Sequence, residues 1–155
     1  MNNNDILRRI RYTFEFSDEK MIELFALADQ VVTRAQVSDW LKRDDDPAYQ
    51  EMPDIQLAIF LNGLINNKRG KKEGEQPKPE KELNNNIIFR KLRIAMNMTD
   101  EDILEILELV GIRISKHELS AFFRKPTQKK FRYCKDQILR NFLQGMQLVY
   151  HDKKK

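Results

Sequence analysis

A chain of 155 residues with 41% hydrophobic residues can bury one core or two small ones. No apolar run approaches the roughly 20 residues of a membrane span, and one cysteine, Cys134, excludes an internal disulfide framework and suits a reducing cytoplasm. The formal net charge of +4 is uneven: residues 1–69 carry 9 Lys/Arg against 12 Asp/Glu, residues 70–84 carry 4 of each, and residues 85–155 carry 15 against 8.

That asymmetry falls on two copies of one unit. Shifted by 82 positions, Asn3–Arg69 lies on Asn85–His151 without a gap. Residues shared by both copies build the unit, and the others are free to differ. The opposite charges suit halves that face different partners, or each other. The start, Met1-Asn2-Asn3-Asn4-Asp5, lacks the basic and apolar regions of a signal peptide.

Each copy reads as four helices. Helix one is expected to begin after Asn4 or Asn86, both good N-caps. Its inward stripe is Ile6, Leu7, Ile10 and Phe14, matched by Ile88, Phe89, Leu92 and Met96. Helix two opens at Ser17-Asp18-Glu19 or Thr99-Asp100-Glu101, a hydroxyl cap followed by acids that suit the positive helix end. Phe16 is set to staple to Met21, and Met98 to Ile103.

Helix three carries the sharpest local signal. Thr33 with Gln36, and Ser115 with Glu118, are capping boxes, and Val32/Val37 and Ile114/Leu119 are the matching staples. Helix four starts near Asp54 or Asp136 and buries Leu57, Phe60, Leu61 and Leu64, matched by Leu139, Phe142, Leu143 and Met146. Between the copies, residues 70–84 are rich in Gly, Pro and both charges, which predicts a flexible linker. The expected architecture is all-α: an acidic four-helix repeat at 1–69, the linker, and a basic four-helix repeat at 85–155.

Asn3-Asn4 and Asn85-Asn86, Arg8/Arg11 and Arg90/Arg93, the helix-two openings, and Phe60-Leu61-x-Gly63 with Phe142-Leu143-x-Gly145 together resemble the YehS family. These are small bacterial proteins made of a tandem domain of unknown function. The resemblance covers nearly the whole chain outside the linker. It implies a cytoplasmic, α-helical protein and no particular activity.

The residues give an enzyme little support. There are two histidines, His117 and His151, and no Cys or His cluster at metal-ligand spacing. Cys134 stands where the first copy has Met52, which reads as a small core hydrophobe. Gly70-Lys71 lacks the strand and glycines of a phosphate loop. Glu101, Glu105 and Glu108 read as a solvated acidic face rather than an acid–base pair. No catalytic residue, cofactor or metal is expected.

Arg11 and Arg93 lie at the edge of the buried stripe. The acids Glu23/Glu105 on helix two and Asp54/Asp136 on helix four recur with them. A link that ties helices within each repeat is the expected role, and phosphate contact by Arg8/Arg11 and Arg90/Arg93 is the alternative. Helices two and three resemble a helix-turn-helix with a turn about two residues longer than usual. Its outward residues would be Lys116, His117, Ser120, Arg124 and Lys125.

The stretch Arg124–Tyr133 interleaves basic and aromatic residues, a composition that suits phosphates and stacked bases. The matching stretch of the first copy is acidic at Asp44-Asp45-Asp46, and Phe131 aligns with Tyr49, a sign that this aromatic belongs to the core. Lys153-Lys154-Lys155 adds charge without specificity. Two functions are carried forward. One is association with DNA or RNA through Lys116, Arg124, Lys125, Lys129, Lys130 and Arg132. The other is a protein-interaction or self-assembly module in which loop 44–46 meets loop 125–132. No membrane partner is expected.

Overall fold

The structure, a computed structural model, describes residues 1–152, and the Lys153–Lys155 tail lies outside them. The described residues form eight helices and no strand. Repeat one holds α1 (Asn3–Phe14), α2 (Asp18–Leu27), α3 (Arg34–Leu41) and α4 (Asp54–Arg69). Repeat two holds α5 (Asn85–Ala95), α6 (Asp100–Leu109), α7 (Lys116–Phe122) and α8 (Asp136–Tyr150). This is the all-α, two-repeat architecture expected from the 82-residue shift.

Most helix starts lie where the caps place them. Ser17, Thr33, Thr99 and Ser115 each accept a backbone N–H from the third residue onward. Helix one is the exception. Its caps are Asn2 and Asn84, so Asn4 and Asn86 are not caps but buried residues inside the first turn. Asn4 Nδ2 donates to the carbonyls of Trp40 and Gln50 (2.9 and 2.8 Å), and its Oδ1 accepts from the Met52 N–H (2.9 Å). Asn86 makes the same three bonds to Phe122, Arg132 and Cys134. Each amide thus fastens the end of helix three and the loop after it to helix one. It satisfies backbone groups that burial would otherwise leave without partners.

The expected stripes of helix four are buried throughout. Gly63 and Gly145 follow from how closely helix four passes helix two. A methyl on Gly63 would overlap the Leu24 carbonyl, and one on Gly145 would lie 2.8 Å from the Ile106 carbonyl oxygen.

The repeats pack as a pseudo-twofold pair, with α1 against α8 and, equivalently, α5 against α4. Arg9 Nη1 donates to Gln144 Oε1 at 2.7 Å, and at the matching positions Lys91 Nζ donates to Asn62 Oδ1 at 2.6 Å. Such reciprocity is the mark of an isologous interface, here built into one chain. His151 is buried at the end of α8 and stacks on Tyr12 of α1 at 4.2 Å between centroids.

The linker has no helix or strand, yet it is pinned at several points. Lys71 pairs with Asp29 (2.6 Å), Glu80 pairs with Lys91 (2.9 Å), and the Leu83 N–H donates to Asp54 Oδ2 (2.8 Å). Pro77 and Pro79 share a small cleft with Ile59 and Ile65. The segment is too polar to bury a core of its own. It leans instead on surfaces the repeats supply, and its prolines have little backbone entropy to lose.

Candidate nucleic-acid interface

The basic stretch of repeat two is mounted on a short, firmly capped helix. Ser115 and Glu118 form the capping box of α7, while Leu119 and Phe122 anchor its inner face in the core. Gly111 turns the chain out of α6 with φ 80°, and Asp29 takes the same left-handed conformation in repeat one with φ 62°. The absence of a second glycine therefore does not alter the turn.

Beyond α7 the chain is held by its backbone and leaves its side chains free. The Lys125 N–H donates to Gln128 Oε1 (2.9 Å), and the Arg132 N–H donates to the Ala121 carbonyl (3.2 Å). The Arg132 carbonyl accepts from the buried Asn86 amide. Arg124, Lys130 and Arg132 come together around a shallow depression of about 420 Å³, with His117, Glu118 and Ala121. Lys125 and Lys129 are exposed outside it. Among the described residues, none of these five cations has a carboxylate partner. Arg124 reaches only the Ser120 hydroxyl (3.5 Å), and Arg132 the Phe131 and Lys129 carbonyls (2.9 and 3.5 Å).

Lys116 stands apart. It pairs with Glu101 at 3.0 Å, which draws the Glu101 carboxyl below its ordinary pKa and raises the Lys116 ammonium. Both side chains are exposed, so the pair is weakly held. Phe131 is half-buried and meets Tyr133 edge-on at 4.9 Å, while Tyr133 is 69% exposed. The same region of repeat one is compensated or acidic: Arg34 pairs with Glu19, Lys42 pairs with Asp39, and Asp44–Asp46 are exposed.

The recurrent arginines do tie helices together, through partners other than the expected ones. Arg11 reaches Asp18 (3.2 Å) and Arg93 reaches Asp100 (2.7 Å), each acid opening the following helix. Glu23 pairs instead with Lys20, and Asp54 and Asp136 accept from Asn3 and Asn85. The signal was present, since Asp18/Asp100 recurs with the arginines. Arg8 pairs with Asp5 and donates to the Lys42 carbonyl, while Arg90 is exposed. Sequence reasoning missed Arg9 and Arg140. With Arg8 and Tyr12 they line a cleft of about 510 Å³ between α1 and α8.

Cys134 is buried, and burial pushes its thiol up to a pKa of about 12, so at neutral pH it is protonated. Among the described residues no group of three or more His, Cys, Asp or Glu is placed to hold a metal ion. No described helix is long and apolar enough to cross a membrane.

The chain is 43% identical over 155 residues to "Uncharacterized protein YehS" of Escherichia coli (strain K12), covering 99% of each. No solved structure matches it. A family model described as "Protein of unknown function (DUF1456)" matches residues 3–70 and 85–151, the two structural repeats. The chain therefore belongs to this family of tandem-repeat proteins.

Proposed function

We propose that this is a non-catalytic cytoplasmic protein that associates with nucleic acid through the basic face of repeat two. The observation that carries this reading is the set of five uncompensated cations: Arg124, Lys125, Lys129, Lys130 and Arg132. They stand on a loop whose backbone is already fixed, so contact with phosphates costs little ordering. Tyr133 adds an exposed ring to which a base could stack. The non-catalytic part of the reading draws on the buried, protonated Cys134. The α6–α7 pair supplies a helix-turn-helix-like mount, with Lys116 and His117 on its outer side.

The test is binding to labelled duplex DNA and single-stranded RNA over a salt series. The expected slope of log K against log salt is about −0.9 per phosphate contact on duplex and about −0.7 on a single strand. Lys129→Glu with Lys130→Glu should abolish binding and leave the helical circular dichroism intact. Unchanged binding by that variant sinks the reading.

A second reading follows from Asp44 and Asp45, which are exposed and without an ion-pair partner among the described residues. Among the described residues no ion pair joins loop 44–46 to loop 125–132, so such pairing would join two chains. It predicts that Asp44–Asp46→Lys breaks an oligomer seen by light scattering, and that reversing both loops restores it.

A further inference from the structure

Repeat two contains a cleft of about 580 Å³ between the α5–α6 turn, α6 and the end of α8. This is within the range of small-molecule sites. Met96, Met98, Ile106 and Val149 form its apolar wall, with Tyr150 beside them. Asp102, Glu105 and Glu108 contribute carboxylates. Glu108 has Arg113 at 3.4 Å, whereas Glu105 has no ion-pair partner among the described residues. The Tyr150 hydroxyl is raised in pKa by burial and by the negative charge of Asp102.

The 82-residue shift shows what this ground holds in the other copy. Met96 and Met98 correspond to Phe14 and Phe16, Asp102 to Lys20, and Tyr150 to Lys68. In repeat one the two phenyl rings stack at 5.4 Å, the Lys68 ammonium lies 5.3 Å from the Phe14 centroid, and Lys20 pairs with Glu23, the counterpart of Glu105. Repeat one therefore covers the position with aromatic rings and ammonium groups from its own chain. Repeat two has replaced the rings with thinner, adaptable thioethers. It has also lost both ammoniums and kept the carboxylate. What these positions of repeat two lack, among the described residues, is the pair of phenyl rings and the two ammonium groups, although Tyr150 adds a ring of its own at one edge.

We infer that this cleft binds a small organic ammonium with an aromatic body. The ring would lie against Met96 and Met98, and the ammonium would face Glu105 and Asp102. Sulfur–aromatic contact and carboxylate pairing supply the attraction.

The probe is 2-phenylethylammonium, titrated into the full chain and followed by the methionine methyl resonances. The neutral isostere 2-phenylethanol and the anion phenylacetate serve as controls. Saturable shifts at Met96 and Met98 are expected, with a Kd on the order of 1 mM or below for a ligand this small. The alcohol should bind at least about fivefold more weakly, as expected when a charge-assisted contact is lost. Met96→Phe with Met98→Phe restores the residues of repeat one and should abolish binding. Glu105→Gln, an exposed change that spares the fold, should weaken the amine and leave the alcohol unaffected. The inference is overturned by any of three results: no saturable shift, equal affinity for amine and alcohol, or an amine affinity that Glu105→Gln does not alter.

Discussion

Lys91 Nζ lies 2.6 Å from Asn62 Oδ1, a bond that crosses the two repeats and is the pseudo-twofold counterpart of the bond from Arg9 to Gln144. The two sites are nevertheless unequal. The Lys91 side chain is only 9% exposed because Glu80 of the linker closes over it at 2.9 Å. At the Arg9 site a cleft stays open. One anchor of the interface is therefore desolvated, with one hydrogen bond and one ion pair, and the other is wet.

Lys91→Ala should accordingly cost about 2 kcal/mol, since it removes a charged hydrogen bond and an ion pair from a buried position and strands Asn62 and Glu80. Arg9→Ala should cost less than about 1 kcal/mol, because water replaces what is lost. Urea denaturation of both variants measures the difference. Equal costs would mean that the linker does not shield the Lys91 anchor.

Gly63→Ala should be the most damaging single methyl in the molecule. The added carbon meets a backbone carbonyl of α2, which cannot rotate away, so α4 and α2 must separate. A loss of at least about 3 kcal/mol is expected, at the upper end of overpacking effects. Gly145→Ala meets first the Ile106 Cγ2 atom at 2.5 Å, part of a side chain with somewhere to go, and then the Ile106 carbonyl oxygen at 2.8 Å. It should cost less, about 1–3 kcal/mol. Thermal melts of the pair test the ranking, and a less stable Gly145→Ala protein would contradict it.

These glycines show where sequence reading stopped. Their recurrence was visible, but a glycine required by a passing helix looks the same in sequence as one required by a turn. Capping boxes and apolar stripes were legible because their chemistry is local: Thr33 and Gln36 need only each other. Asn4 was misassigned for the same reason in reverse. An asparagine near a helix start satisfies the rule for a cap, and only the tertiary fold shows that Trp40, Gln50 and Met52 claim its amide. The basic loop of repeat two was readable as composition. That Lys116 is drawn off to Glu101, while Arg124, Lys130 and Arg132 converge, depends on how α7 is mounted.

The Asn4 bracket gives a prediction of its own. Asn4→Asp keeps the shape but turns a donor into an acceptor facing the Trp40 and Gln50 carbonyls. Two backbone acceptors then lose their donor, and a carboxylate is buried beside them. The expected loss is about 3 kcal/mol or more, against about 2 kcal/mol for Asn4→Ala, which removes the bonds without adding charge. Asn86→Asp and Asn86→Ala should behave alike, since the second bracket makes the same bonds. Stability of Asn4→Asp equal to wild type would show that the bracket is not needed.

Cys134 predicts how stability depends on alkaline pH. Its thiol is raised in the folded protein from an ordinary value of 9.0 to about 12. The unfolded chain therefore loses this proton first as pH rises, and ionisation pulls the equilibrium toward unfolding. The contribution is intact below pH 9 and declines above it by about 1.4 kcal/mol per pH unit until the folded thiol also ionises near pH 12. Cys134→Ala provides the reference, because every other group titrates in both proteins. The stability difference between wild type and Cys134→Ala should be flat from pH 6 to about 8.5 and shrink above that. A difference that stays constant to pH 10.5 would mean that the thiol is not desolvated. The same burial should make the native thiol slow toward a water-soluble maleimide, with labelling accelerated only by denaturant.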